Sequence, residues 1–381
     1  MKPVKFYTAC SGKTKRMTEI VTVAQKVTSF LKLEPFSILS VDKGAEFLDL
    51  VNSLTDHHFA KCDSYARIIK PLFGMYETPT SLDDVPFIPV RLFKTLKLSS
   101  VDVPEEFRTM TSSGTTGQAV SQIILDKQTS QAQTRALSQI MSSIIGKVRM
   151  PMLILDSTAV IKDRAMFSAR GAGIRGFSMF GKDIEYALDE HMNLRFDAIE
   201  DFLRRHDGEK IFLFGFTFMI WQHVCEELLM KKVSFSIPNG VLLHGGGWKK
   251  LTSLNIKNEE FKDSIKSTLG IDTVINYYGM VEQTGSIFIE CEGGYLHSPS
   301  YSEVIVRDPI SLLPIDDGRE GVIQVISILP MSYPGHSILT EDLGVIVGRD
   351  NCICGRSGRH FLINGRIKDA EVRGCSDTYE P

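Results

Sequence analysis

The sequence predicts an α/β protein with a β-rich part appended to it, on three observations. Between about residues 31 and 285, short apolar runs that suit strands alternate with amphipathic stretches that suit helices, the pattern of a largely parallel sheet. Beyond Gly285 the style changes. "SEVIVRD", "GVIQVISI" and "GVIVG" are β-rich pieces joined by Pro, Asp and Gly turns, which suits antiparallel sheet. The third observation is size: 381 residues, 43% apolar and 23% charged, can bury the ordinary cores of about two domains.

Each element has its own warrant. From Ala45 to Leu72 the pattern is helical: Phe47, Leu48, Val51 and Leu54 follow the 3.6-residue period, and Tyr65, Ile68, Ile69 and Leu72 repeat it. His57 and His58 fall in this stretch and read as helix-surface residues. Pro79, Pro86 and Pro89 punctuate an extended stretch, after which "FRTMTSSGTTGQAV" brings a strand into a small polar loop. Asp126 to Ile145 suits a helix with Leu137, Ile140, Met141 and Ile144 on one face. Met152–Leu155, Ile211–Phe214, Val241–Leu243 and Thr273–Tyr277 are short strands. Thr217–Lys231 and Lys257–Leu269 are helices. The expected organisation is a poorly ordered or extra segment over 1–30, an α/β core over 31–285, a β-rich subdomain over 286–365, and a hinge-like tail over 366–381.

Composition excludes several classes. A net charge of −3 lacks the basic excess of a dedicated nucleic-acid binder. No apolar run approaches the ~18 residues of a membrane helix; the longest, Ile211–Cys225, is interrupted by Gln222 and His223. The basic first 18 residues have no continuous apolar stretch, so no secretory signal is expected. Seven cysteines form no dense disulfide framework, and a reducing, cytoplasmic setting is the expectation.

Four motifs could carry chemistry. In Thr111-Ser112-Ser113-Gly114-Thr115-Thr116-Gly117, glycines let backbone N–H groups approach phosphate oxygens and hydroxyls add donors. No Lys lies between Arg108 and Lys127, which rules out a Walker A loop here. Tyr277-Tyr278-Gly279-Met280-Val281-Glu282 offers an aromatic face and a carboxylate able to hold a hard cation. Asp342, in "LTEDLG", could accept from both ribose hydroxyls. Arg366, in "NGRIKD", suits a phosphate or ribose. Taken singly, each motif reads first as a plain turn or strand end.

Their order is more informative. Ser/Thr/Gly loop, Gly245-Gly246-Gly247, Tyr-Gly-x-x-Glu, Thr-x-Asp-x-Gly and Gly-Arg-x-x-Asp follow one another over about 260 residues. This order resembles the adenylate-forming superfamily of acyl-CoA synthetases and peptide-synthetase adenylation domains. "LLHGGGWKK" and the tail "RGCSDTYEP" are similar, within that superfamily, to the LuxE-like acyl-protein synthetases of bacterial bioluminescence. The resemblance runs from about Leu33 to the end. It implies the N-terminal-domain fold of adenylate-forming enzymes, α/β sheets with a β-rich subdomain, without the usual full C-terminal lid. It implies that ATP and Mg²⁺ convert a carboxylic, fatty-type acid to an acyl-adenylate, which passes to a thiol and then to a partner such as an acyl reductase or a carrier protein.

By position, the Thr111 to Gly117 loop would hold the phosphates, and Gly245 to Gly247 would belong to the cofactor site. Tyr278 and Gly279 would flank the nucleotide, Glu282 would hold Mg²⁺, Asp342 the ribose, and Arg366 would approach the nucleotide. Cys375 would take the acyl group. It is nine residues beyond Arg366, a reach of at most ~30 Å, and Lys368 and Arg373 nearby in sequence could lower its pKa. The Tyr278-Gly279-x-x-Glu282 motif is closer to phenylacetate-CoA ligase-like enzymes than to the luminescence enzymes. A carboxylate-CoA or carrier ligase using an external thiol is therefore an alternative, and a non-catalytic nucleotide- or acyl-binding subunit is another.

Cys291-x5-His297 and Cys352-x-Cys354 add a candidate structural zinc set. Their wide separation also allows a core thiol and a plain loop. Phe212, Phe214, Phe216 and Phe218, at period two, could line an acid pocket or a sheet core, and Gly215-Phe216-Thr217 is the expected substrate side.

Overall fold

The computed structural model describes residues 23–40, 43–74, 78–112, 120–162, 169–247 and 256–367. The strands are β1 (Ile88–Pro89), β2 (Arg108–Thr111), β3 (Gln122–Leu125), β4 (Met150–Ser157), β5 (Gly181–Leu188), β6 (Ile211–Phe216) and β7 (Gly240–Gly245). They continue with β8 (Thr273–Tyr278), β9 (Phe288–Glu290), β10 (Leu296–His297), β11 (Ser302–Arg307), β12 (Gly321–Ser327), β13 (Ser337–Arg349) and β14 (Arg359–Arg366).

One sheet of twelve strands joins the two halves of the chain. Its order is β11-β12-β13-β14-β10-β9-β8-β7-β6-β4-β5, with β1 beside β13. From β5 to β8 the neighbours are parallel. Along the path from β8 to β11 every step is antiparallel, while β1 runs parallel to β13. The change of style after Gly285 is thus a change of strand direction within one continuous sheet. β4, β6 and β7 are buried along their whole length, as parallel strands covered on both faces are. Their apolar faces pack in one cluster with residues of the Lys127–Ile145, Ala169–Ser178 and Asn258–Leu269 helices. The antiparallel strands pack in a second cluster with Tyr65, Ile69, Phe93 and Ile123.

The local elements follow from the residues. Asp126 caps the Lys127–Ile145 helix by accepting from the Thr129 N–H at 2.7 Å. Cys62, in extended backbone, divides the expected Ala45–Leu72 helix into Gly44–Lys61 and Asp63–Phe73. Between Thr217 and Lys231 the helix loosens into a π turn at Trp221–Cys225. Residues 23–30, inside the expected N-terminal extra segment, are helical, with Ala24, Val27 and Phe30 in the core. His58 overturns the surface reading: it is fully buried, because it lies four residues beyond Leu54 and seven beyond Val51, on the apolar face. Phe212, Phe214 and Phe216 are core residues of β6. Among the described residues, no helix is long and apolar enough to cross a membrane.

Candidate active site

The carboxyl ends of β4, β6, β7 and β8 lie on one edge of the sheet, where open α/β sheets bind ligands. Tyr278 ends β8, and the Gly turn follows from Gly245, the last residue of β7. A Cβ on Gly245 would overlap the Tyr277 ring, so glycine is needed there for close packing of β7 against β8. Gly246 has φ +80°, and a Cβ on it would press on Phe216 at 3.3 Å. Thr217, at the end of β6, donates to the Gly245 carbonyl at 3.2 Å and meets His244 Nδ1 at 2.9 Å. With the threonine proton committed, Nδ1–H of His244 is the donor to Thr217. The Gly215–Thr217 junction and the Gly245–Gly247 turn are thereby fastened to each other.

Three of the residues singled out in the sequence meet directly. Tyr278 Oη donates to Asp342 Oδ2 at 2.7 Å, and Arg366 Nε donates to Asp342 Oδ1 at 3.0 Å. The second bond follows from register, since Asp342 of β13 and Arg366 of β14 are direct cross-strand partners. Burial, then the Asp342 charge, push the Tyr278 phenol well above its ordinary value, which keeps it a donor. Glu341 carries Arg91 at 2.7 Å and faces Arg366 at 3.7 Å. Asp342 thus sits in a mixed cluster whose hydrogen bonds a nucleotide's hydroxyls could exchange into.

Glu282 lies on a single turn, Val281–Gln283, and is buried. Burial raises its carboxyl above the ordinary range, partly offset by Ser121 beside it. The charges of Lys94 and Arg366 also lower it, and a buried carboxylate held in this way suits a hard cation that brings phosphate oxygens with it. The residues present therefore fit Mg²⁺ on a nucleotide. The β2–β3 hairpin carries the Ser/Thr/Gly motif. Its base is closed by Ser112 N–H donating to Ser121 O at 3.1 Å and Ser121 N–H donating to Ser112 Oγ at 2.8 Å. Thr111 and Ser112 are placed at that base. The expectations on Ser113, Gly114, Thr115, Thr116, Gly117 and Cys375 fall outside the described residues.

The second cluster is a donor set for a metal. Cys291, His297, Cys352 and Cys354 bring their ligand atoms within 4.8 Å of one another. Cys291 Sγ lies 3.6 Å from Cys352 Sγ, and Cys354 Sγ lies 3.4 Å from both Cys352 Sγ and His297 Nε2. Ligands ~2.3 Å from a tetrahedral zinc would be spaced by roughly these edges, so the donor set fits zinc in type and spacing. β9 and β10 fix Cys291 and His297, and the turn before β14 fixes Cys352 and Cys354.

Sequence reasoning missed the groups that hold the site together. Tyr333 Oη donates to the Glu282 carbonyl at 3.0 Å and accepts from Gln133 Nε2 at 3.1 Å. Gln283 Nε2 donates to Val325 O and Gly335 O at 3.2 and 2.8 Å. Periodicity could not find Tyr333, which lies in an irregular Pro-Gly segment. Gln133 is a polar residue among apolar helix positions, a pattern that does mark a buried polar role.

Comparison with known proteins bears on the family and the fold. The model of the family described as "Acyl-protein synthetase, LuxE" matches residues 17–380. A long-chain-fatty-acid–luciferin-component ligase of Vibrio harveyi is 23% identical over 348 residues, 86% of this chain and 85% of that protein. The enzyme of the same name from Aliivibrio fischeri is 22% identical over 272 residues, 70% of each chain. Among solved structures, an open conformation of a 2-hydroxyisobutyryl-CoA ligase superposes with a TM-score of 0.66 at 15% identity. That match covers 87% of this chain and 77% of the other, and it is a likeness of fold.

Proposed function

This chain belongs to the LuxE acyl-protein synthetase family, an AMP-forming ligase that activates an acid with ATP, and from that premise we propose that its acid is a long-chain fatty acid and that Cys375 carries the acyl group. The two curated relatives, both long-chain-fatty-acid ligases by name, support the acid. The observation that carries the site assignment is the Tyr278–Asp342–Arg366 constellation, set with buried Glu282 at the carboxyl edge of the parallel strands.

The chemistry follows in two steps. A carboxylate oxygen of the acid attacks the α-phosphorus of ATP; the bond to the β-phosphate breaks and pyrophosphate leaves. The acid is already an anion at neutral pH, so no general base is needed. Glu282 would hold Mg²⁺, which when bound would offset charge on the phosphates. Asp342 holds the ribose, Tyr278 orients Asp342, and Arg366 approaches the nucleotide. The Thr111–Gly117 loop would hold the phosphates, and Gly245–Gly247 would line the nucleotide. The Cys375 thiolate then attacks the acyl carbon, the bond to the phosphate oxygen breaks, and AMP leaves. The onward acceptor would be an acyl reductase or a carrier protein. Cys291, His297, Cys352 and Cys354 would hold zinc as a closed structural site, apart from this chemistry.

Intact mass tests the reading, with wild type and Cys375→Ser incubated with ATP, Mg²⁺ and fatty acids of graded length. A hydroxylamine-sensitive acyl adduct on wild type alone is expected. Pyrophosphate release with no adduct would replace Cys375 by an external thiol. Nucleotide binding without pyrophosphate release would overturn acid activation itself.

A further inference from the structure

Glu282 sits on a single three-residue 3₁₀ turn, a kind of helix used in short pieces with poorer hydrogen-bond geometry. Contacts from outside the turn add to the bonds within it, Gln283 N–H to Met280 O at 3.1 Å and Thr284 Oγ1 to Val281 O at 2.9 Å. On the far side of the turn lies the irregular segment between β12 and β13. Tyr333 stands in it, fully buried, with its ring edge-on to Phe93 at 6.1 Å. A carbonyl can only accept, so the single phenolic proton of Tyr333 goes to Glu282 O at 3.0 Å. The Tyr333 lone pair then receives the Gln133 amide at 3.1 Å. The result is a directed chain, Gln133 to Tyr333 to Glu282.

The anchor of that chain touches the same motif a second time. The main chain of Gln133 lies against Gly285, where a Cβ would come within 2.5 Å of Gln133 O. Gly285 has φ +87°, so both its conformation and its neighbour require glycine. The segment bearing Tyr333 is itself tied down. His58 and His57 bond the Pro330 and Met331 carbonyls, each at 3.1 Å. Ser100 N–H donates to Ser332 O at 2.8 Å, and Ser332 Oγ donates to Ile124 O at 2.9 Å.

We propose that Tyr333 is a positioning residue for the metal-nucleotide: it fixes the Glu282 peptide, and with it the direction of the Glu282 carboxylate. This rests on the assignment of Glu282 to Mg²⁺. A core tyrosine with no such role would contribute only to stability, so the readout is metal dependence.

The experiment measures acid-dependent ATP–pyrophosphate exchange against Mg²⁺ concentration on the full chain. Wild type, Tyr333→Phe, Gln133→Met, Ser332→Ala and Glu282→Gln are compared, with a melting curve for each. Tyr333→Phe is expected to raise half-saturating Mg²⁺ about tenfold, the worth of one buried hydrogen bond, with the acid KM unchanged. Gln133→Met, which leaves the Tyr333–Glu282 bond in place, should shift it in the same direction but less, and it carries the test if Tyr333→Phe does not fold. Ser332→Ala cuts one of the ties of that segment and leaves the Tyr333–Glu282 bond itself in place; it should lower the melting temperature and shift Mg²⁺ dependence in the same direction but less than Tyr333→Phe. If Glu282→Gln shifts Mg²⁺ dependence but Tyr333→Phe and Gln133→Met do not, the positioning role is overturned while the role of Glu282 stands. If Glu282→Gln shifts nothing, both fall.

Discussion

Lowering the pH from 7 to 5 should destabilise this protein by about 4 kcal/mol through two buried histidines. His244 and His336 are almost wholly buried. Each has one ring nitrogen bonded to a threonine and the other without a hydrogen-bond partner among the described residues. Burial pushes both from 6.5 to about 3. A histidine depressed in the fold binds its proton in the unfolded chain first. Stability is therefore complete above about pH 6.5 and is lost as the pH falls toward 3. At pH 5 each imidazole has passed about 1.5 units of that window, or about 2 kcal/mol. His58, stacked on His336 at 4.9 Å, is lowered by burial and by His336 and adds in the same direction. Glu282, raised by burial, works the other way. The assay is urea unfolding from pH 7 to pH 5 for wild type and His336→Gln, whose amide can still donate to Thr55 but does not titrate. The variant should lose about 2 kcal/mol less over this range. A wild-type loss under about 1 kcal/mol, or equal slopes for the two proteins, would refute the reasoning.

Asp342→Asn should raise the KM for ATP by about tenfold or more, since a charged acceptor typically contributes ~1.5–3 kcal/mol; initial-rate kinetics checks it, and Tyr278→Phe should give a smaller shift of the same sign. Gly245→Ala forces a methyl into the Tyr277 ring and should cost about 1–3 kcal/mol in urea unfolding. Elemental analysis of purified protein should find zinc bound, and Cys352→Ser should abolish it. A chelator should lower the melting temperature of wild type but not of that variant.

The parts of this molecule legible in the sequence were those in which one residue type answers one local demand. Alternating apolar runs gave strands and helices because burial on a sheet or helix face is periodic. The change of style after Gly285 was visible for the same reason, as antiparallel strands are joined by turns. Asp342 and Arg366 could be singled out as chemistry-bearing residues. That they would bond each other depended on the register of β13 against β14, which no motif states. His58 was misread because its residue type outweighed its position, although four residues beyond Leu54 on a buried face already placed it in the core. Tyr333 was illegible for a deeper reason. Its role depends on a helix 200 positions earlier in the chain and a turn 51 positions earlier, and its own segment has no period to read.

The two clusters share strands, and that sharing separates their effects. β14 begins at Arg359 and ends at Arg366. Near its beginning, His360 pairs with His297 of β10, and Cys352 and Cys354 lie just before it. At its end, Arg366 faces Asp342. From His360 to Arg366 the strand spans about 20 Å at ~3.3 Å per residue. A metal at the near end would set how β10 and β14 start their ladder and so hold the antiparallel strands against fraying. Its charge, about 20 Å along a strand, lies about two and a half Debye lengths from the Asp342 cluster at physiological salt, since that length is ~8 Å. Its loss would therefore show in unfolding well before it showed in nucleotide affinity. The ladder bonds between β13 and β14, running from Asp342 to Arg349, independently keep Arg366 in register. The same strand thus lies beside the Cys/His donor set at one end and carries the arginine that pairs with Asp342 at the other, each answering to a different measurement.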